Sequence, residues 1–329
     1  MKLDENLPKV SVIIPIYNGE KKLRRCLTSI RTQNYNNIEV LLINDGSTDK
    51  SSEICHEFSN QDERFIVVDK KNEGVSASRN KGIEMASGEM IQFVDCDDYV
   101  EKTYLMELVD KMLSDGSDMV ISGYTRHKNE KESNRRPKSE TIKINELATF
   151  FWKLYNNWFI NTPWNKLYKK ELIQSGYPLE LNLGEDLIFN LDYIKNCNQI
   201  SVIASCGYHY CIEDGNSLAL QFRKDKFENS CYLHNKIVEF AKEVLKIENE
   251  LEIEDKSFIK QIRFAMKGIS KADNFSKAEK IKSIGEWCER NDVRKAYKLA
   301  GKLSLVDCMM KFLVKMRAKK LLFYITKKM

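Results

Sequence analysis

Three carboxylates, Asp95, Asp97 and Asp98, follow directly on a short apolar run, Met90-Ile91-Gln92-Phe93-Val94. The run has the length and composition of a buried strand. Nothing in folding calls for the acids at its end. Packed together they repel one another and resist ionisation unless a cation or a ring of donors compensates, so the cluster reads as a metal site. Hard oxygen ligands favour Mg2+ or Mn2+ over zinc. Two other groups follow apolar runs in the same way: Asp45, in Asn44-Asp45-Gly46-Ser47-Thr48-Asp49, and Arg79, beyond Asn72-Glu73-Gly74. An ion on Asp95 and Asp97 would bridge diphosphate oxygens, while the forked guanidinium of Arg79 supplies further donors.

The elements that must position these groups alternate. Residues 10–15, 38–43, 65–68 and 90–94 are apolar and rich in β-branched side chains, as buried strands are. Residues 20–33, 50–58 and 76–86 between them carry apolar positions at helical spacing, and Asn18 or Gly19 is available to cap the first helix. This alternation predicts an α/β fold with a mostly parallel sheet covered on both faces, the loops after the strands gathering at one sheet edge. Asp45, Arg79 and the Asp95 cluster then line one crevice. There is no GxGxxG after the first strand and no GxxxxGK[ST] anywhere, which argues against dinucleotide and P-loop enzymes. Further on, a strand is expected at 119–122, a solvated loop or hairpin at 125–140, helices at 145–158 and from Leu187, and a strand at 200–204.

Four blocks in order, Val12-Ile13-Ile14-Pro15-Ile16-Tyr17-Asn18, Asn44 to Asp49, Asn72-Glu73-Gly74-Val75-Ser76-Ala77-Ser78-Arg79-Asn80 and Phe93-Val94-Asp95-Cys96-Asp97-Asp98, resemble the family 2 glycosyltransferases with a GT-A fold. The resemblance covers roughly residues 8 to 215. It implies an inverting transferase that takes a sugar from a nucleotide-sugar donor, most often a uridine diphosphate sugar, to a glycan or lipid-linked acceptor. By the same resemblance Pro15, Tyr17, Asn18 and Asp45 border the nucleoside, with Asp45 facing the base. Arg79 lies near the diphosphate. Asp95 and Asp97 form the DxD pair, Asp97 being the direct ligand, with Cys96 where members often carry serine. Trp164 and Lys166, in Trp164-Asn165-Lys166-Leu167-Tyr168, are expected in the cleft, although the density of aromatics around them also reads as core. Glu185 and Asp186 open a helix, where acids suit the macrodipole. Within the resemblance they match the ED motif, with Asp186 as the base and Glu185 orienting it or touching the acceptor. Cys211 stands where many members carry arginine, and relatives commonly place a glycine- and serine-containing loop at residues 213–217. His209 is a further candidate metal ligand, against the plainer reading of a hydrogen-bonded strand histidine.

The expected division is a transferase domain at 8–222 and a helical region at 223–329, where proline and glycine become rare. Residues 303–325 are apolar and basic. They suit either an anionic membrane surface, apolar face down, or packing against other helices or a second subunit. The chain has 329 residues, a net charge of +5 and nine scattered cysteines. The charge is too mild to imply nucleic acid, and the cysteine spacing matches no zinc site or disulfide framework, so a reducing cytoplasm is expected, with the inner membrane face as a peripheral location. The charged start, MKLDENLPK, does not read as a signal peptide, and no run of eighteen apolar residues occurs. A phosphohydrolase reading fails because Tyr99 stands where DxDx[TV] needs threonine or valine. A nucleotidyltransferase or a non-catalytic nucleotide-binding protein remain the alternatives.

Overall fold

The computed structural model describes residues 7–129, 131–181, 183–212, 226–247 and 252–329, with the side chains of 252–254 excepted. Strand β1 (Val10–Ile16) is buried along its whole length and so needs neighbours on both sides. It finds β2 (Ile38–Asp45) and β4 (Met90–Phe93), both parallel to it, and β3 (Phe65–Lys70) continues beyond β2. The crossovers are α1 (Glu20–Arg31), α2 (Ser51–Gln61) and α3 (Val75–Met85), which match the sequence expectation to within three residues at every end. Beyond β4 follow β5 (Tyr99–Val100), α4 (Tyr104–Asp115), β6 (Met119–Ser122) and the hairpin of β7 (Tyr124–Lys128) and β8 (Lys131–Arg135). Then come β9 (Glu140–Lys143), α5 (Leu147–Asn156), β10 (Lys166–Lys169), α6 (Glu185–Ile194), β11 (Gln199–Ile203) and β12 (Tyr208–Ile212).

These strands make two sheets. The larger runs β3-β2-β1-β4-β10-β6-β11-β9, and the smaller β5-β12-β7-β8. The run β3 to β4 is parallel as expected, but β10 enters between β4 and β6 antiparallel to both. It is short, Lys166-Leu167-Tyr168-Lys169, and its two lysines disguise a strand that is buried in the middle of a sheet. The smaller sheet carries β5, the two residues immediately beyond the acidic cluster, and pairs them with β12.

The chain forms two compact units, residues 1–217 and 218–329. The expected boundary at 222–223 and the loop at 213–217 fall outside the described residues. The second unit consists of α7 (Lys226–Glu243), α8 (Glu252–Lys271), α9 (Lys277–Glu289), α10 (Asn291–Leu299), α11 (Leu305–Lys315) and α12 (Lys319–Lys328) around a core that includes Phe227, Phe258, Ile262, Met266, Tyr297, Met310 and Leu322. The stretch 303–325, continuous in its apolar pattern, is two helices. Arg317 adopts a left-handed φ of 56°, the amide of Ala318 donates to Leu313 O at 3.0 Å and that of Arg317 to Val314 O at 3.1 Å. This is a Schellman turn with arginine where glycine is usual, at a cost of about 1 kcal/mol. Among the described residues no helix is long and apolar enough to cross a membrane.

Candidate active site

Helix α3 carries Arg79, and its distance from the sheet is set by Gly82. A Cβ at that position would lie 2.3 Å from Ile13 Cγ2 of β1, so only glycine lets the helix settle this close. Arg79 is thereby held at the carboxyl end of the sheet, only 3% exposed. Its Nη2 donates to Asp95 Oδ1 at 3.0 Å and its Nη1 to Asp186 Oδ1 at 2.6 Å, with Glu185 Oε1 3.8 Å from Nη1. One guanidinium therefore ties the strand-end acid to the acidic pair that opens α6. Beneath it the Tyr177 ring stacks on Phe189 of α6 at 4.1 Å and meets Phe93 of β4 edge-on at 5.5 Å, while the guanidinium lies 5.2 Å from the Tyr177 centroid. Both helices are thus referenced to the strand that bears the acids.

The electrostatics follow from burial. Asp186 is pushed up to about 7: burial contributes most, the Glu185 and Asp95 charges add to it, and Arg79 opposes it. Arg79 itself is held above its ordinary value, because Asp186 and Asp95 outweigh the burial that would lower it. Asp98 is buried and raised well above the carboxylate range, by burial first and by Asp97 and Asp95 next. It faces neither solvent nor a helix start: Oδ2 accepts from Tyr208 Oη at 2.7 Å and Oδ1 from the Cys211 amide at 2.8 Å. Tyr208 Oη in turn accepts from the Asp95 amide at 3.2 Å, so β12 braces the acidic segment from behind. Asp95 accepts from Arg79 and Asp97 is exposed two residues further on; their carboxylate oxygens are hard ligands of the kind Mg2+ or Mn2+ prefers.

The rim of the site is built from the loops after β1 and β2. The Asn18 amide donates to Ser47 Oγ at 3.1 Å, and Asn18 Oδ1 accepts from the Thr48 amide at 2.8 Å, so Asn18 stitches the two loops together and does not cap α1. Pro15 lies within β1, and the Tyr17 ring is 52% exposed over this rim. Asp45 is buried, its carboxylate accepting from the amides of Glu73 at 3.0 Å and Gly74 at 2.8 Å and from Lys70 Nζ. It fixes the turn into α3, the helix of Arg79.

Three expected residues lie elsewhere. Trp164 is 4% exposed, stacked on Tyr208 at 4.4 Å and on Tyr210 at 5.2 Å, which makes it core and not a cleft platform. Lys166 is fully buried. Its ammonium donates to Phe159 O at 2.6 Å, to Asn165 Oδ1 at 2.8 Å and to Thr162 O, so all three of its protons are used. It fastens the segment 159–165, whose Ile160 carbonyl accepts from Asn190 of α6 at 2.7 Å, and so supports the site from the rear. His209 is drawn into the smaller sheet, Nδ1 at 2.8 Å from His127 Nε2 and Nε2 at 2.7 Å from Glu101 Oε1, so both its nitrogens face groups other than Asp95 and Asp97. One residue the sequence reading passed over is Arg25, on the exposed face of α1. Its Nη2 donates to Asp97 O at 2.8 Å and to Cys211 Sγ at 3.3 Å. Its position in α1, two residues past the inward-facing Leu23, gave no signal, because only the tertiary fold brings α1 against β12.

A sheet whose first four strands in space are parallel, with a strand-end acid linked through one guanidinium to an acid pair on a helix, is the arrangement of a GT-A type fold. Residues 11–176 match the model of glycosyl transferase family 2, and the chain belongs to that family. EpsH of Bacillus subtilis (strain 168) is 30% identical over 288 residues, which span 85% of this chain and 83% of that protein. The structure of S. aureus TarS 1–349 in complex with UDP-GlcNAc superposes with a TM-score of 0.69 at 21% identity, covering 97% of this chain and 90% of that one. The mannosyltransferase PcManGT from Pyrobaculum calidifontis, in complex with GDP-Man and Mn2+, gives a TM-score of 0.53 at 14% identity over 98% of this chain and 87% of that one. At these identities the two structures speak to the fold, while family membership sets the class as a glycosyltransferase, ahead of the nucleotidyltransferase and non-catalytic readings.

Proposed function

We propose that the chain is a metal-dependent inverting glycosyltransferase that moves a sugar from a uridine diphosphate sugar to a glycan or lipid-linked acceptor. The observation that carries this reading is the Arg79 bridge, which sets the leaving-group acid Asp95 and the base candidate Asp186 on two sides of one guanidinium. The exposed Tyr17 ring offers a stacking face to the nucleobase, in loops that Asn18 and Asp45 hold in shape. Asp97 and Asp95 would hold Mn2+ or Mg2+, which when bound neutralises charge on the diphosphate. Asp186 accepts the proton of the attacking acceptor hydroxyl. The new bond forms between that oxygen and the anomeric carbon as the bond to the phosphate oxygen breaks, so configuration inverts in a single displacement. A carboxylate poised near 7 is matched to this task at neutral pH. The uridine nucleotide rests on the likeness to TarS, whose structure holds UDP-GlcNAc, and the ion on the likeness to PcManGT with Mn2+.

In this reading residues 8–222 form the catalytic domain, and the helical region 223–329 brings it to the cytoplasmic face of an anionic membrane, where a lipid-linked acceptor is reached. The support is α11, whose Leu305, Met309 and Phe312 form with Met316 at its C-cap an exposed apolar stripe, Leu305 at 90%, beside Lys311, Lys315 and Arg317. The decisive assay is donor hydrolysis and transfer across a panel of nucleotide sugars with Mn2+ present. Asp97→Ala and Asp186→Ala should each lower turnover by about 10²-fold or more. Unchanged turnover in both would falsify the site assignment.

A further inference from the structure

We propose a second metal site, on the smaller sheet, in which His127, Glu132 and His209 bind a late first-row divalent cation, zinc foremost. Their ligand atoms, two imidazole nitrogens and a carboxylate oxygen, all lie within 4.8 Å of one another. The strand register dictates this meeting. Glu132 on β8 is the cross-strand partner of His127 on β7, and His209 comes from β12, which pairs with β7 along its other edge. His127 Nε2 is 2.8 Å from His209 Nδ1 and 3.9 Å from Glu132 Oε1.

A fourth group makes this more than a chance cluster. The other nitrogen of His209, Nε2, lies 2.7 Å from Glu101 Oε1. A carboxylate behind an imidazole fixes the proton on that far nitrogen and turns the near one, here Nδ1, into a lone-pair donor, the arrangement that supports metal-bound histidine. Tyr99 stacks on the His209 ring at 4.2 Å with 9° between the planes and holds it in this orientation. Ligand nitrogens on a tetrahedral zinc ion stand roughly 3.3 Å apart, so the 2.8 Å pair needs to open by about half an ångström to admit the ion, with His127 giving up its Nε2 proton.

Two imidazoles and one carboxylate leave the fourth tetrahedral position to water. This donor set prefers zinc, copper or nickel, whereas the all-carboxylate set at Asp95 and Asp97 prefers magnesium or manganese, so the two sites sort different ions. The bound ion would clip the β7–β8 hairpin to β12 and, through Tyr99, to the segment that follows Asp97. The proposal is independent of the sugar-transfer reading, because the ligands belong to none of the groups assigned to it.

The test is titration of the chelator-stripped full-length protein with Co2+, read by its visible d–d absorption, followed by displacement with Zn2+ in a calorimeter. One ion per chain is expected, with tetrahedral bands that persist in Asp97→Asn. His127→Gln, Glu132→Gln and His209→Gln should each weaken binding by at least about tenfold, and Glu101→Gln by about 10- to 100-fold. Glu132 is largely exposed on the hairpin, so Glu132→Gln reads the site without threatening the fold. Bands that vanish in Asp97→Asn but survive in Glu132→Gln would overturn the proposal. So would the lack of any tetrahedral band, which would leave a hydrogen-bonded histidine pair.

Discussion

At the scale of single residues the site turns on how one guanidinium and one carboxylate share a low-dielectric corner. Arg79 lowers the affinity of Asp186 for a proton while burial raises it, and burial prevails. As the proposed base, Asp186 must be ionised, so kcat/KM for transfer should fall about tenfold per pH unit below about 7 and level off above it. Replacing Arg79 by glutamine removes the opposing influence and should move this acid limb to higher pH, a displacement that a purely structural loss would not produce. A pH–rate profile for the two proteins checks both statements. Asp95 stood out in the sequence because acids cluster directly after an apolar run, whereas Asp186 did not by itself, since two acids at a helix start suit the macrodipole; Asp98 proves to be held by Tyr208 and the Cys211 amide. Lys166 was misleading for the converse reason: a lysine in a polar-looking tetrapeptide suggests surface or substrate, and nothing local shows that the Phe159 and Thr162 carbonyls and Asn165 Oδ1 will enclose it.

At the scale of elements, two contacts hold the parallel half of the sheet and its helix α3 in place. Gly82→Ala would drive a methyl group into Ile13 and push α3 off β1. The expected cost is about 1–3 kcal/mol in stability, read as a lower Tm, together with a loss of turnover in the fraction that remains folded, because Arg79 rides on the same helix. Glu39 ties β2 to the turn before β4. Burial would raise its pKa, but hydrogen bonds from Ser11 and Ser87, with Lys9 alongside, prevail and hold it at about 2. Because the folded value lies below the ordinary 4.5, the stabilisation is complete above pH 4.5 and is lost as pH falls toward 2; it amounts to roughly 3 kcal/mol. Denaturant unfolding followed by circular dichroism should show wild-type stability falling as pH drops from about 4.5 toward 2, and Glu39→Gln should lower stability at neutral pH and flatten that dependence. The β1–β4 alternation was visible in the sequence from apolar, β-branched runs separated by helical spacing. The smaller sheet was not, since β5 is two residues long and β8 is entirely exposed, so neither carries a periodic apolar signal.

At the scale of the whole molecule, the exposed stripe on α11 gives the membrane reading a direct test. Phe312→Glu with Met316→Glu should abolish co-sedimentation with phosphatidylglycerol-containing vesicles and leave donor hydrolysis in solution intact, because the core of the helical unit uses the opposite face, Met310, Leu313 and Val314. Equal sedimentation of the variant and the wild type, or a salt-insensitive dimer in its place, would assign the stripe to a protein partner. The strand order carries a consequence of a different kind. Strand β10 occupies the middle of the larger sheet, yet it is made some seventy residues after its neighbour β4. During synthesis the ribosome therefore releases β4 with one edge bare and a ladder of unpaired backbone groups, a template for pairing between nascent chains. Only when residues 166–169 emerge is that edge sealed, and only some twenty residues later does α6 arrive to give Arg79 its second partner. The acids that follow β4 are thus translated first and wait for the half of the chain that brings β10 and Asp186 to them.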